Sequence, residues 1–285
     1  MEGSTAVRTV TLTTIAMIAF AANSLLGRQA LGQQLIDAAS YTAIRIVSGA
    51  VMLAVISASR SRTEPLRPDW PAVAALSCYM VFFSFAYITL AAGTGALLLF
   101  GAVQLTMFGA ALRRGERFTA LSWVGLGIAF TGLVYLVAPG VTSPDPLGAT
   151  LMFIAGVAWG AYSLFGAGAT DPLRATAGNF IFAVPVAALV AAVFVARLDL
   201  GPAGVALAVA SGAITSALGY AVWFAALRGL NAGQAATVQL SVPVVAAIGG
   251  ALLLAEQLTL RLGIASALTL GGIALVLAQR SRQRD

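Results

Sequence analysis

The chain has 285 residues, of which 60% are hydrophobic and only 9% are charged, and its mean hydropathy is +0.94. That balance excludes a soluble globular domain and assigns most of the chain to lipid. All sixteen basic residues are arginine, and the formal net charge is +6. Because the arginines lie in short segments between apolar runs, we predict that they set membrane topology and do not bind nucleic acid.

Ten apolar segments lie between the charged residues, and each is close to the ~20 residues that a helix needs to cross a bilayer. They predict an all-α polytopic membrane protein with ten transmembrane helices. The single cysteine, Cys78, lies in one of them and is expected to be a buried apolar residue. The predicted spans are 9–27, 39–58, 70–91, 93–112, 119–138, 147–168, 175–196, 202–227, 231–254 and 261–279.

The first span has two interpretations. The tripeptide at 19–21 (AFA) follows an apolar run, as at the cleavage site of a signal peptide. However, 23–27 (NSLLG) recurs in a related form as 162–166 (YSLFG), at an offset of 139. A discarded leader has no reason to match a later span, so we expect the first helix to be retained.

The stretch 109–119 (GAALRRGERFT) recurs as 249–259 (GGALLLAEQLT) at an offset of 140. Five spans separate the two copies, and because five is odd, the second copy crosses the membrane in the opposite sense. We therefore predict two inverted five-helix repeats, residues 1–138 and 147–285, joined by a breaker-rich linker at 139–146. The matched pairs are Gly109 with Gly249, Ala111 with Ala251, Leu112 with Leu252, Glu116 with Glu256, and Thr119 with Thr259.

The arginines are unequally divided between the two sides of the membrane. Twelve fall on the side of the N-terminus, three (Arg28, Arg197 and Arg261) fall on the other side, and Arg45 lies within a span. Because positive loops stay inside, both termini are predicted to be cytoplasmic in a multi-pass protein of the bacterial inner membrane. Accordingly, the copy at 109–119, on the predicted cytoplasmic side, contains arginines, and the copy at 249–259, on the other side, contains none.

Residues 111–136 (ALRRGERFTALSWVGLGIAFTGLVYL) and 251–277 (ALLLAEQLTLRLGIASALTLGGIALVL) resemble the drug/metabolite transporter superfamily, of the EamA type. The recurrent glutamate, the threonine after it and the glycines of the next span carry the resemblance, which extends over essentially the whole chain. It implies ten helices in a five-plus-five inverted repeat and is closest to aromatic amino acid exporters. In one departure, Pro243 occupies a position where family halves often have proline, but Val103 is its counterpart.

Polar and aromatic residues inside the spans are the candidate substrate-binding residues. Tyrosine hydroxyls, indoles and amides at mid-membrane favour a pocket that is both apolar and hydrogen-bonding. Core packing and interhelical hydrogen bonds explain any single one of them as well. The candidates are Asn23, Ser24, Tyr79, Phe83, Tyr87, Gln104, Trp159, Tyr162, Tyr220, Trp223, Gln239 and Ser241.

Three charged residues near the spans have competing interpretations. Arg45 lies six residues from the outer end of its span, about 9 Å deep by helical rise. We expect its guanidinium either to reach the outer membrane–water interface or to pair with Asp37. The alternative is that it binds a substrate carboxylate. Glu116 and Glu256 each precede a threonine that is expected to cap the next helix. At that position an acid complements the positive N-terminal end of the helix. The alternative is that the two glutamates couple transport to protons.

Inverted bundles can rock about a central site and expose it to each side in turn, which favours a secondary transporter. We expect alternating-access export of small neutral or zwitterionic metabolites, amino acids including aromatic ones. The alternatives are an exporter of drugs or nucleotide-type metabolites and a structural or receptor bundle. Without histidine or an aspartate pair in a span, neither an enzyme nor a metal or cofactor site is expected. The expected partners of the monomer are a small-molecule substrate and the lipid bilayer.

The topology has a direct test. A reporter fused after Arg282 should be active only in the cytoplasm, because the basic tail stays inside. A tag inserted in the 139–146 linker should react with an impermeant label added outside intact cells. The reverse labelling pattern would contradict both the arginine count and the inverted repeat, since each depends on the other.

Overall fold

The computed structural model describes residues 2–58, 66–116, 118–166, 169–230 and 232–282. In these ranges the chain forms helices and turns, and its only β pairing is an isolated bridge between Ile36 and Leu200. The helices are α1 (Glu2–Gly32), α2 (Ala38–Ala58), α3 (Trp70–Ala86), α4 (Ala92–Arg113), α5 (Ala120–Val137), α6 (Pro146–Gly166), α7 (Pro172–Val193), α8 (Pro202–Val209), a π-helical segment (Ala210–Leu218), α9 (Gly219–Leu227), α10 (Ala232–Gln239), α11 (Ser241–Leu253) and α12 (Leu260–Arg282).

Within the described ranges, nine helical lengths are long and apolar enough to cross a membrane, and α3 is a shorter apolar helix. With α3 counted as the third, the described ranges contain ten crossings; the eighth is α8, the π segment and α9 together, and the ninth is α10 with α11. Large apolar side chains such as Val51, Trp123 and Leu189 are exposed on the outside of the bundle, as lipid contact requires. An all-α polytopic membrane protein is therefore confirmed.

The third helix is shorter than predicted. It ends at Ala86 instead of residue 91, because the Tyr87 N–H closes the last turn on the Phe83 carbonyl and the chain then turns toward α4. Asp69 caps its other end, where the carboxylate accepts from the Ala72 N–H at 3.4 Å. The segment 87–91 is thus a turn in which Tyr87 and Leu90 are buried and Ile88 and Thr89 are exposed.

Two crossings of the second half are interrupted. The ninth breaks at Leu240, between α10 and α11. Pro243 explains this break, because its ring would clash with the carbonyl four residues earlier, at Gln239, in a continuous helix. Its counterpart α4 has Val103 and continues without a break. The eighth crossing instead widens into the π segment, a feature that is frequent at functional sites.

The two ends that correspond in the repeat share a backbone conformation. Gly115 has a φ of 79°, and Ala255, 140 positions later, has a φ of 53°. Both lie in the left-handed region two residues after the end of a helix, α4 and α11 respectively, as residues at helix C-termini often do. The capping prediction is confirmed: Thr119 accepts from the Ser122 N–H and Thr259 from the Leu262 N–H, each at 3.1 Å.

The helix contacts are repeated within the bundle. If each crossing is replaced by the crossing five places away in chain order, the same contacts are found again. Crossings 2 and 7 pack together, as do 4 with 9 and 5 with 10; each of these pairs maps onto itself. The contact of 3 with 6 corresponds to that of 8 with 1, and 4 with 6 corresponds to 9 with 1. The polar centre of the bundle lies among α1, α2, α3, α6 and the eighth crossing.

Small residues bring α5 and α12 together. A Cβ atom added at Gly125 would lie 2.7 Å from the Gly272 carbonyl oxygen, and one added at Gly272 would lie 2.4 Å from the Gly125 oxygen. At Gly132 an added Cβ would meet the Thr269 hydroxyl at 2.5 Å. Such backbone proximity is the usual basis of helix association in lipid.

This contact predicts different effects for two glycines in one helix. Gly125→Ala should lower the free energy of unfolding by about 1–3 kcal/mol, because the methyl group meets backbone that cannot move aside. Gly127, two residues on, has open space around its added Cβ, so Gly127→Ala is the matched control and should be neutral or slightly stabilising. Thermal unfolding of the purified variants in detergent measures both. Equal midpoints would refute the α5–α12 contact.

Candidate functional site

A small cavity lies at the polar centre of the bundle, among α1, α3, α4, α6 and the eighth crossing. Its volume of about 20 Å³ has room for one or two water molecules, so this conformation encloses no solute. The wall combines aromatic rings with an amide and two hydroxyls of serine and threonine. The lining residues are Phe20, Asn23, Ser24, Tyr79, Phe83, Leu99, Phe100, Trp159, Thr215 and Tyr220.

Asn23 is the centre of a buried hydrogen-bond network that joins α1 to α3 and to the π segment. Its Oδ1 accepts from Ser211 Oγ at 2.6 Å and lies 3.1 Å from Thr215 Oγ1. Its Nδ2 donates to the Tyr79 hydroxyl at 3.3 Å. The network satisfies polar groups that lipid cannot, and it fixes the orientation of the amide at the cavity wall.

The aromatic rings of four crossings meet at the cavity. Trp159 of α6 stacks on Tyr220 at a centroid distance of 5.2 Å and lies 4.8 Å from Tyr79. Phe20 contacts the Tyr220 ring edge-on at 5.9 Å, and Phe83 contacts Tyr79 in the same way at 5.5 Å. The rings provide a flat apolar wall, and the Tyr79 hydroxyl provides a polar group within it.

Arg45 neither reaches the interface nor pairs with Asp37, so both of those expectations are wrong. Its side chain is fully buried, because α2 lies inside the bundle at this depth and its neighbours cover the guanidinium. Nη2 donates to the Tyr79 hydroxyl at 3.0 Å and lies 3.4 Å from Ser216 Oγ. The guanidinium carbon is 4.5 Å from the centre of the Phe83 ring.

Asp37 is occupied at the start of α2. Its carboxylate accepts from the Ser40 N–H at 2.9 Å and from the Asp199 N–H at 3.1 Å. Desolvation alone would raise the pKa of this carboxyl, but these hydrogen bonds outweigh it and lower the pKa. The charged Asp37 thus joins the loop before α2 to the loop before α8, beside the Ile36–Leu200 bridge.

An ion pair joins the end of α1 to the segment between α11 and α12, beside the start of α4. Arg28 Nε lies 3.0 Å from Glu256 Oε1, and Glu256 Oε2 accepts from the Ala92 N–H at 2.8 Å. Arg28 also donates to the Ile88 carbonyl at 3.2 Å. Glu256 therefore complements the positive end of α4, a helix of the other half, instead of the helix that follows it.

Several predicted site residues lie away from the cavity. Tyr87 is fully buried at the end of α3, with its hydroxyl 3.3 Å from the Ala92 carbonyl. Tyr162 is behind Trp159 and its hydroxyl lies 3.3 Å from Thr176 Oγ1, while Trp223 packs on Phe20. These three rings pack behind the lining residues and do not line the cavity themselves.

The remaining three candidates lie on the fourth and ninth crossings. Gln104 lines a lateral groove between α4, α5 and α12. The Gln239 amide lies 3.4 Å from the carbonyl of Ala235 in its own helix, and the Ser241 hydroxyl donates to Val238 at the α10–α11 break. The structure brings together Asn23, Ser24, Tyr79, Phe83, Trp159 and Tyr220, with Arg45 directly behind them.

Sequence reasoning missed the hydroxyls of the eighth crossing. Ser211, Thr215 and Ser216 are buried and bond to Asn23 or approach Arg45, although none was a candidate. The available signal was a cluster of three hydroxyls in the middle of an apolar span, beside Gly212. A Cβ added at Gly212 would lie 2.1 Å from the Arg45 carbonyl oxygen, so only glycine allows this approach.

A polytopic helical protein with a small aromatic and polar cavity between its helices has the architecture of a membrane transporter. Residues 146–278 match the model of the EamA-like transporter family. The uncharacterized protein PA1977 of Pseudomonas aeruginosa is 54% identical over 274 residues, 96% of each chain. The chain belongs to the EamA-like transporter family and is a membrane transporter.

Other similarities agree with this assignment. An uncharacterized transporter of Archaeoglobus fulgidus is 29% identical over 222 residues, 74% of this chain and 79% of the relative. The uncharacterized inner membrane transporter YedA of Escherichia coli K12 is 30% identical over 118 residues, 41% of this chain and 37% of the relative. A solved crystal structure with 20% identity has the same fold, at a TM-score of 0.65 and coverage of 94% and 99%.

With the predicted cytoplasmic termini, the Arg28–Glu256 ion pair lies toward the outside, and it predicts a change in access to the cavity. In a background with Cys78 replaced by alanine, Ser24→Cys puts a thiol on the cavity wall. Adding Glu256→Gln should speed its labelling by an impermeant maleimide from outside about tenfold, since a charged hydrogen bond contributes about 1.5–3 kcal/mol. Glu116→Gln, the equivalent change in the other half, is the control and should leave outside labelling unchanged. Equal rates for Glu256→Gln and its parent would contradict an outer lock.

Proposed function

We propose that the protein is a secondary transporter of the inner membrane that exports small metabolites, amino acids including aromatic ones, by alternating access. The observation that carries the proposal is the cavity at the centre of the bundle, where rings from α3, α6 and the eighth crossing surround a hydrogen-bonded amide. An aromatic side chain fits against Trp159 and Tyr220, and polar ends fit against Asn23 and Tyr79. The similarity to YedA, an inner membrane transporter of Escherichia coli, supports the inner membrane as the location.

We also propose that the two halves are inverted repeats, residues 1–138 and 147–285, with both termini cytoplasmic. The exchange of helix neighbours between crossings five apart supports this, as do the matching left-handed turns at Gly115 and Ala255. Inverted halves that share a central site can rock between two equivalent arrangements, so the closed cavity is one stage of a cycle. The outer ion pair of Arg28 and Glu256 then holds the outward path shut.

The energy source follows from the distribution of acids. Every aspartate and glutamate lies in a loop, a tail or at the end of a span, and the chain has no histidine. Proton-driven carriers need a titratable group inside the bundle, so we expect solute to move down its own gradient. An exporter of drugs or nucleotide-type metabolites and a non-transporting bundle are the alternatives that the flux measurement separates. A monomer is expected because one chain contains both halves.

Counterflow in proteoliposomes tests the proposal. With equal pH on both sides, vesicles loaded with unlabelled phenylalanine should take up labelled phenylalanine, and Trp159→Ala should weaken apparent affinity by up to about tenfold through the lost ring contact. Trp123→Ala is the control, because that ring lies on the lipid-facing surface and is half exposed. No counterflow by the wild type across a panel of amino acids, nucleotides and dyes would overturn the proposal.

A further inference from the structure

Arg45 is a buried cation without a counter-ion. Its side chain is fully buried, and among the described residues no carboxylate lies within 4.0 Å of it. Nε and Nη1 have no hydrogen-bond partner, and the hydroxyl of Tyr41, one turn earlier, has none either. Burying a charge without a partner is strongly unfavourable, so a bundle under selection for stability alone would not retain it.

The groups around Arg45 are short of acceptors. The Tyr79 hydroxyl lies on the cavity wall and already accepts from Arg45 Nη2 and Asn23 Nδ2, so its own proton is left to donate. Asn23 Oδ1 is occupied by Ser211 and approached by Thr215. The unsatisfied groups are therefore donors: two on the guanidinium and one on each of Tyr41 and Tyr79.

From these observations we propose that Arg45, through the Tyr79 hydroxyl, forms the anion-binding end of the substrate site, which takes a carboxylate joined to an apolar or aromatic body. The inference rests on the proposed transport function and specifies its substrate class. A carboxylate has the acceptors that these donors lack, and charge-assisted hydrogen bonds to it are about twice as strong as neutral ones. The anion also neutralises the only charge in the centre of the described bundle.

A substrate ammonium group has no equivalent site. No acidic side chain lines the cavity in the described part of the chain, and the one amide oxygen there is taken. Aromatic faces can hold a cation, but the guanidinium of Arg45 already lies against Phe83 and Tyr79, at 4.5 and 5.4 Å from their centres. Trp159 and Tyr220 face each other. The ammonium of an amino acid is therefore dispensable for binding.

The proposal also predicts an unusual stability effect. Replacing Arg45 by methionine keeps most of the side-chain volume and removes the uncompensated charge, so the empty protein should unfold at a higher temperature. A purely structural arginine would give the opposite result, because its removal would leave Tyr79 and Ser216 with a cavity beside them. Arg197→Met, in the exposed 3-10 turn Val195–Arg197, changes net charge equally and is the control.

The experiment uses full-length protein in detergent, with tryptophan fluorescence and thermal unfolding as readouts. The probes are 3-phenylpropionate, L-phenylalanine, phenethylamine and sodium chloride. We expect 3-phenylpropionate to bind and stabilise wild type and Arg197→Met at least as well as phenylalanine does, and phenethylamine to have no effect. Binding of 3-phenylpropionate to Arg45→Met should be at least about tenfold weaker. If Arg45→Met does not fold, Tyr79→Phe, which removes one hydroxyl, should reduce the same binding.

Three results would overturn the proposal: phenethylamine binding as well as 3-phenylpropionate, sodium chloride alone stabilising as strongly, or binding that survives both Arg45→Met and Tyr79→Phe. A lower unfolding temperature for empty Arg45→Met would assign the arginine to structure. Because binding is measured without transport, Arg45-dependent binding with no counterflow would reject the transport proposal and leave the anion site standing. Counterflow of phenylalanine that is unchanged in Arg45→Met and Tyr79→Phe would reject the anion site and leave the transport proposal standing.

Discussion

The absence of water in the bilayer core is the constraint on which this structure depends. Each polar group at that depth must find a partner inside the protein, so backbone polarity is satisfied within helices and polar side chains collect where helices meet. Asn23 satisfies this requirement through Ser211, Thr215 and Tyr79. Arg45 does not, since two of its nitrogens have no partner. One set of buried groups thus stabilises the bundle, and the other is left without partners inside it.

Most of the architecture could be predicted from the sequence because span length is fixed by bilayer thickness. The ten apolar segments correspond closely to the helices, and the threonine caps at Thr119 and Thr259 follow from a local rule. The break at Leu240 could not be predicted from Pro243 alone, since Pro185 lies inside the uninterrupted helix α7. The early end of α3 could not be predicted either, because residues 87–91 are apolar and only their position against α4 makes them a turn.

The candidate site was less predictable, since depth along a helix does not specify which way a side chain points. Mid-span position identified Asn23, Tyr79 and Trp159, yet the same reasoning selected Gln104, which faces a lateral groove. The environment of Arg45 depends on how closely α2 approaches the π segment at Gly212, a tertiary contact with no local signature. Glu256 likewise acts on a helix more than 160 positions away in the chain.

The wide turn in the eighth crossing has a geometric consequence for the site. In an uninterrupted α-helix, Ser211 and Tyr220 are nine steps of about 100° apart and point in opposite directions. The π segment between them turns by a smaller angle per residue and brings both to the same side, so Ser211 holds Asn23 while Tyr220 stacks on Trp159. Helical phase, and not sequence spacing, allows the Ser211 hydroxyl to hold Asn23 at the cavity while the Tyr220 ring lines it.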